Sequence, residues 1–320
     1  MRKRMMLLAG ACCLLFACQS NEELQKVSQE SNAPMFLEAS IASGGVTSRT
    51  TTSEQGVSNF ELTDRIGLFQ PDEDEASCWE FEESGWTTET AMNWENKVED
   101  FHFCAFYPYE ETATRSSVPM PDLTAQTGEL ERIGTFDFLA GHCTMSYADA
   151  AGVVSFTEDN AFHHVYAMLK IVVNKSSAED ELTIHKVSYE GQDIVTSQTY
   201  SFGSSFAEDR LISGSPSTSV LTLTPEAVVS GESYTFVVLI NPVTLSSSLK
   251  LSFDYTRNGI RYTASTENLV SEYAGGKLYT YTIRMKKENI LIEGNSIGNW
   301  ESQVGDDIWI DENHTPEEMD

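Results

Sequence analysis

Cys18 is the residue whose chemistry can be inferred most directly from its surroundings. The chain begins with three cations at positions 2–4, continues in an apolar run from Met5, and reaches Cys18 through the small residue Ala17. This order is typical of a secretory signal, and the apolar run is shorter than the roughly 20 residues that a bilayer crossing needs. A cysteine directly after the cleavage point can be acylated through its thiol. We therefore predict that residues 1–17 are a lipoprotein signal peptide and that Cys18 carries a lipid anchor.

The histidines and the other cysteines show no spacing that indicates a metal site. His163 and His164 are adjacent, and adjacent residues of a strand point to opposite faces, so the two side chains cannot readily converge on one ion. His102 and His142 add no recognised ligand spacing. The cysteines that follow Cys18 are Cys78, Cys104 and Cys143. Their odd number and wide spacing fit neither a disulfide framework nor a zinc motif, which leaves one disulfide open beside the favoured alternative of buried free thiols. We expect no metal and no cofactor.

Charge and motifs exclude several classes of function. The formal charge is −29 at pH 7, and a field of that sign repels nucleic acid, so no nucleic acid partner is expected. After the signal, the sequence has none of the motifs typical of serine hydrolases, zinc peptidases, P-loops or dinucleotide-binding folds. No pair of carboxylates stands out for acid–base chemistry. We predict that the protein is not an enzyme.

Aromatic residues leave one binding function open. Those that could form a platform for sugars are Trp79, Trp86, Trp94, Tyr107 and Tyr109. Such residues more often fill the core and rim of a sandwich. A glycan-binding surface lipoprotein is therefore kept as an alternative.

The elements that must position these residues are short strands. Apolar and polar residues alternate over short stretches, which are interrupted by Gly, Ser, Asn and Pro. The predicted strands include 35–41, 66–69, 101–107, 153–156, 166–173, 182–189, 220–223, 234–240, 249–255, 260–264, 278–285 and 290–292. Many short strands at this spacing indicate sandwiches or barrels. After a polar tether over 18–34, we predict two β-sandwich domains in series, over 35–158 and 159–320.

Several segments, taken together and in order, resemble the fimbrillin-like pilins of Bacteroidetes, the subunits of type V pili. They are the signal ending at Cys18, the strand 35–41, Ser48–Thr51, Asp64–Phe69, Phe103–Tyr109, Asp137–Ala140, Phe162–Ala167, Gly276–Tyr281 and Ile297–Trp300. The resemblance covers nearly the whole chain. It implies two tandem transthyretin-like β-sandwich domains, delivery to the outer membrane as a lipoprotein, and no enzymatic activity.

The resemblance also implies that a trypsin-like, Arg-specific protease removes the first strand. Arg49 is the predicted cleavage site, so the mature chain would begin at Thr50. Small and polar residues surround Arg49, as expected of an accessible loop, whereas the rival Arg65 lies against a predicted strand. The removed segment spans 35–49, and its core-facing residues are Met35, Leu37, Ala39 and Ile41.

The groove left by the removed strand is expected to receive a C-terminal strand of a neighbouring subunit. The donor strand is predicted within 290–310, where two apolar pairs alternate: Ile290 with Ile292, and Ile308 with Ile310. The alternative for Ile290 and Ile292 is a closing strand of the second sandwich. For Ile308 and Ile310 a frayed acidic tail is the other option.

The sequence thus predicts a structural pilus subunit at the cell surface that supports adhesion. Its expected partners are other pilin subunits, the processing protease and a receptor on a host or bacterial surface. A tip or anchor adhesin of the same pilus is the alternative closest to this prediction.

Overall fold

The computed structural model describes residues 33–42, 59–214, 218–286 and 289–299. Within these ranges the chain is almost entirely β, so the predicted all-β sandwich class is confirmed. Among the described residues no helix has the length and apolarity that a membrane crossing requires. The predictions for Cys18, Arg49, Thr50, Ile308 and Ile310 fall outside the described residues.

The described residues of the first half of the chain form nine strands and a few short helical turns. The strands are β1 Phe36–Ala39, β2 Arg65–Phe69, β3 Ser77–Glu82, β4 Gly85–Thr87, β5 Asp100–Tyr107, β6 Val118–Pro119, β7 Leu139–Ser146, β8 Val153–Phe156 and β9 His163–His164. The turns are the 3-10 helices Leu123–Ala125, Leu130–Thr135 and Glu158–Asn160 and one helix, α1, at Tyr147–Ala150. Six of the strands form one sheet in the order β4-β3-β2-β5-β7-β9.

This six-stranded sheet is buried on both faces. Along β5, Phe101, Phe103, Ala105 and Tyr107 point into a cluster that also contains the buried residues of β1 and β8. The intervening Cys104 and Phe106 point into a second cluster, which continues into the other half of the chain. Because a strand alternates its side chains between two faces, β5 is apolar on both sides and separates the two cores.

The second half of the chain contains two facing sheets. Its strands are β10 Ala167–Asn174, β11 Leu182–Glu190, β12 Gln198–Ser201, β13 Arg210–Ser213, β14 Val220–Leu223, β15 Ala227–Val228, β16 Ser233–Ile240, β17 Val243–Thr244, β18 Lys250–Arg257, β19 Ile260–Thr266, β20 Glu272–Tyr273, β21 Lys277–Met285 and β22 Ile290–Asn299. One sheet has the order β16-β10-β21-β22 and the other β14-β11-β18-β19, with β15 beside β11. The side chains between them form a sandwich core that includes Ile171, Phe236, Phe253 and Ile283.

Two segments cross the predicted boundary near residue 158. Strand β12 pairs with β6 of the first half, and β13 continues that small sheet. In the other direction, the side chain of the buried Gln126 covers the free edge of β16: its amide donates to Leu239 O at 3.0 Å and accepts from Leu239 N at 2.7 Å. The division into domains at 158 therefore stays a prediction, and the two halves share strand pairing and core.

Candidate functional site: the groove that holds the first strand

Strand β1 lies in a groove and pairs in parallel with β8. Leu37 is the register partner of Val154, and the pairing runs on as an isolated bridge between Ile41 and Phe162. Beyond the strand, Ser40 donates to Phe156 O at 2.9 Å and accepts from Phe162 N at 2.9 Å. The ladder therefore extends past the ends of β1 itself.

The start of the segment is also held on its other side. Met35 N donates to Met92 O at 2.9 Å, and Trp94 N donates to Ala33 O at 3.0 Å. Residues 33–35 thus bridge the loop at 92–94 and the β8 region. Backbone hydrogen bonds therefore hold β1 along one edge and at one end, in addition to the contacts of its side chains.

Alternation along the segment sends every second side chain into the groove. Met35, Leu37 and Ile41 are buried, and Ala39 packs partly buried against the same cluster. Phe36, between two buried neighbours, is 57% exposed. Fully burying an aliphatic side chain contributes about 1.5–3 kcal/mol, so the apolar face of this segment supplies much of its attachment.

The groove itself is lined by large apolar residues. Val154 and Phe156 of β8 and Phe162 are fully buried, and Trp94 donates its indole N–H to Gly152 O at 3.0 Å. Phe60 packs edge-on against Phe162, with ring centroids 5.5 Å apart. If the segment 33–42 left, these side chains and the carbonyls that it occupies would meet solvent.

One carboxyl near the groove has an altered acidity. Asp64 accepts from Tyr107 Oη at 3.1 Å, and the Tyr107 ring packs against Phe60 in the groove cluster. Burial raises the pKa of Asp64 to about 6, and the hydrogen bonds from the Glu61 backbone and from Tyr107 oppose that rise. This carboxyl therefore ionises near neutral pH.

The remaining predicted site residues lie elsewhere. Arg65, the rival cleavage site, is the first residue of β2, and its carbonyl accepts from Tyr109 N at 2.9 Å. Ile290 and Ile292 lie in β22, which pairs antiparallel with β21 at the edge of its sheet. Both are partly buried against the main core, whereas Leu291 between them is 40% exposed.

The aromatic platform for sugars, which the sequence left as an alternative, does not form in the described structure. Trp79, Trp94 and Tyr107 are buried in the groove cluster, so they cannot contact a sugar in this structure. Strand alternation turns Trp79 of β3 and Tyr107 of β5 inward, and the loop at 92–94 carries Trp94 into the same cluster. Trp86 and Tyr109 are partly exposed but pack against different cores.

A cluster that the sequence reading missed lies on the opposite face of the six-stranded sheet. It brings together His102 and Cys104 of β5 with His142 of β7. The spacing His-x-Cys on a strand is a signal for two side chains on one face, but His142 joins them only through strand pairing. Because β7 was not among the predicted strands, its pairing with β5 could not be predicted from the sequence.

The comparisons with known proteins agree with this architecture. The model of the fimbrillin-like family matches residues 48–300, which is most of the chain. The chain therefore belongs to the fimbrillin-like family, as its resemblance to those pilins implied. A search among curated proteins finds no match.

Solved structures of proteins from three Bacteroides species are similar to this one. A protein of Bacteroides uniformis ATCC 8492 assigned to cell adhesion is 16% identical with a TM-score of 0.58, over 84% of this chain and 100% of that one. A similarly assigned protein of Bacteroides ovatus ATCC 8483 is 14% identical with a TM-score of 0.57, over 83% and 97%. A fimbrial protein of Bacteroides vulgatus ATCC 8482 is 13% identical with a TM-score of 0.48, over 84% and 100%. At these identities the likeness to the first two shows the shared fold alone.

Proposed function

We propose that this protein is a structural subunit of a type V pilus that supports adhesion at the cell surface. Membership of the fimbrillin-like family supports the pilus role, and the fold shared with proteins assigned to cell adhesion agrees with it. The precursor would be an outer membrane lipoprotein anchored through Cys18. Its partners would be other pilin subunits, an Arg-specific protease and a surface receptor.

The main observation behind the proposal is that the segment 33–42 lies in a groove, held by its side chains and its backbone. It places three buried side chains and a parallel backbone ladder in a groove that the rest of the fold already shapes. Removing such a strand would expose an apolar slot beside an unpaired edge of β8, and an edge of that kind is a template for strand addition. The same contacts that hold β1 would then hold a strand from another subunit.

Cleavage after Arg49 would remove this segment. In the sequence, Arg49 lies between Ala42, which still bonds to Phe162 O at 2.7 Å, and the next described residues, which begin at Asn59. Cleavage after Arg65 would instead cut inside a strand paired with both β3 and β5. A protease needs an extended, accessible backbone, which a central strand does not offer. We therefore propose Arg49, with a new N-terminus at Thr50.

The donor strand would come from the C-terminal segment. Strand β22 already pairs with β21, and its inner residues Ile290 and Ile292 pack on their own sandwich. That arrangement supports the closing-strand alternative for this pair. By elimination we propose that Ile308 and Ile310 supply the apolar side chains that enter the groove of the next subunit.

The test is mass spectrometry of the chain from the bacterial surface, beside an unboiled gel, for wild type and two variants. Arg49→Ala should keep the first strand and abolish heat-sensitive multimers. Arg65→Ala, which removes the same charge from a paired strand, should be processed and assembled like wild type. A wild-type chain that begins at Thr50 in such multimers supports the proposal. A lipidated, monomeric wild-type chain that retains residues 18–49 overturns it and favours an anchor subunit.

A further inference from the structure

His102, Cys104 and His142 bring three ligand-type atoms together on the face of the sheet opposite the groove. His102 Nε2 lies 3.1 Å from His142 Nδ1. Cys104 Sγ lies 3.6 Å from His142 Nδ1 and 3.9 Å from His102 Nε2. Two strands fix this triangle, because His102 and Cys104 alternate on β5 and Cys104 is the register partner of His142 on β7.

These separations match those around a tetrahedral zinc ion. Zinc binds imidazole nitrogen at about 2.0–2.1 Å and thiolate sulfur at about 2.3 Å, so two nitrogens lie about 3.3 Å apart and a nitrogen and a sulfur about 3.6 Å apart. Each distance in the cluster is within about 0.3 Å of these values. Because the two rings lie within 18° of parallel, rotation of the histidine side chains is needed to point both nitrogen lone pairs at one ion.

A carboxylate orients the central histidine. His142 Nε2 lies 2.8 Å from Asp209 Oδ2, so its N–H donates to the carboxylate and Nδ1 presents a lone pair to the cluster. Asp209 is itself held by Tyr200 Oη and by Gly203 N, the latter at 2.7 Å. A histidine that binds a metal usually donates its other N–H to a carboxylate or carbonyl in this manner.

The charge around the sulfur also suits a thiolate. Arg115 Nη1 lies 3.4 Å from Cys104 Sγ, while Nη2 donates to Gln70 O at 2.5 Å. Burial raises the pKa of the Cys104 thiol to about 12, and Arg115 opposes that rise. In the metal-free protein Cys104 is therefore a thiol, and metal binding must release its proton to solvent.

The site is enclosed yet reachable. Cys104 and His142 are buried, and the ring of Phe206 covers His142 with centroids 4.5 Å apart. His102 is partly exposed, which leaves an approach for an ion and a position for a water molecule as fourth ligand.

We propose that His102 Nε2, Cys104 Sγ and His142 Nδ1 bind one Zn²⁺ ion, with Asp209 positioning His142. In the metal-free state the rings of His102 and His142 lie within 18° of parallel, and their facing nitrogens are 3.1 Å apart, so one ring can donate its N–H to the other. On binding the ion, the neutral rings would carry their protons on His102 Nδ1 and His142 Nε2, and Cys104 would release its thiol proton to solvent. Because Asp209 follows β12 while the three ligands lie on β5 and β7, the ion would fasten the 202–209 segment to the six-stranded sheet. This inference does not depend on the pilus proposal.

The test is titration of the purified, reduced protein with Co²⁺ as a spectroscopic probe, followed by displacement with Zn²⁺. Wild type should bind about one equivalent, with a thiolate-to-cobalt charge-transfer band that Zn²⁺ removes. Cys104→Ser should lose the band. Cys143→Ser is the matched control, since Cys143 is the neighbour of His142 and is buried in the opposite core. The Cys143→Ser variant should keep the band. The affinity of wild type for Zn²⁺ should rise with pH, because binding displaces the thiol proton.

A second variant keeps the test decisive if Cys104→Ser does not fold. Asp209→Asn retains all three ligands and should weaken Zn²⁺ binding by about 10–100-fold, the usual effect of losing such a carboxylate. Wild type that shows no thiolate band, or a band that Cys143→Ser abolishes, overturns the proposal. Unchanged Zn²⁺ affinity in folded Asp209→Asn overturns the role of that carboxylate.

Discussion

Truncating Leu37 should destabilise the uncleaved chain far more than truncating its neighbour Phe36. Leu37 is 5% exposed in the groove, whereas Phe36 is 57% exposed on the other side of β1. Replacing a buried Leu by Ala costs about 2–5 kcal/mol. Leu37 lies in a groove rather than in the centre of a sandwich, so we expect about 2–3 kcal/mol for Leu37→Ala. Phe36→Ala should cost below about 1 kcal/mol, although it removes the larger side chain.

The assay is equilibrium urea unfolding followed by tryptophan fluorescence. Trp79 and Trp94 lie in the same cluster as Leu37, so their emission reports on this core. The comparison rests on the shift in midpoint at constant slope, because a changed slope would indicate a different unfolding transition.

A reversed order of the two variants would refute the register of β1. Moving a strand by one residue turns all its side chains to the other face. A slipped strand would bury Phe36 and expose Leu37, and Phe36→Ala would then be the damaging change. If cleavage at Arg49 releases the strand as proposed, both variants and wild type become the same chain. Any difference that persists in the cleaved product would show that the strand had remained bound.

Three further outcomes are expected. Gln126→Leu should cost about 2–5 kcal/mol in chemical unfolding, because it leaves the buried N–H and carbonyl of Leu239 without their amide partner; a cost below about 1 kcal/mol would contradict this. The pKa of Asp64 is about 6 against an ordinary 3.8, so the folded state loses stability as pH rises through about 6. The stability of Asp64→Asn relative to wild type, measured by thermal melts, should therefore increase by about 1 kcal/mol from pH 4 to pH 7.5, after allowance for solvent screening. A stability difference that does not change with pH would refute the raised pKa of Asp64. Gly67→Ala should lower the melting temperature, since its new Cβ would lie 2.2 Å from a ring carbon of β5, whereas Gly294→Ala meets nothing within 4 Å and should have the smaller effect.

Local pattern predicted many of the strands, and the reason is clearest where only one face is buried. The alternation at 153–156 coincides with β8, and the Asn-Gly signal produced the β18–β19 hairpin, with positive φ at Asn258 and Gly259. In these elements one face is polar or the turn has a defined chemistry, so neighbouring residues carry enough information.

The same pattern failed for β7 and β3. In β7 five consecutive residues are buried, as in β5, but Gly141, His142 and Thr144 interrupt its apolar residues, so neither alternation nor a continuous apolar run marks the strand. The segment of β3 was not among the predicted strands, because Glu80 and Glu82 interrupt its short run of apolar residues. The pairing of β12 with β6 joins residues about eighty positions apart, and no local signal specifies it. The cluster of His102, Cys104 and His142 was missed for the same reason, because Cys104 contacts His142 only through the pairing of β5 with β7.

The two edges of the sheet β16-β10-β21-β22 suggest a direction for assembly. On the β16 side, Gln126 and the carbonyl of Gly128, which accepts from Val237 N at 2.9 Å, occupy backbone groups that another strand would need. On the other side, β22 is the last strand described, and its far edge pairs with no described strand. An unpaired edge favours strand addition and an occupied one prevents it. Under the proposed strand exchange, each subunit would offer different surfaces at its two contacts, a groove near β8 and the chain that follows β22. Contacts between unlike surfaces produce rings or open filaments, and open filaments are what a pilus requires.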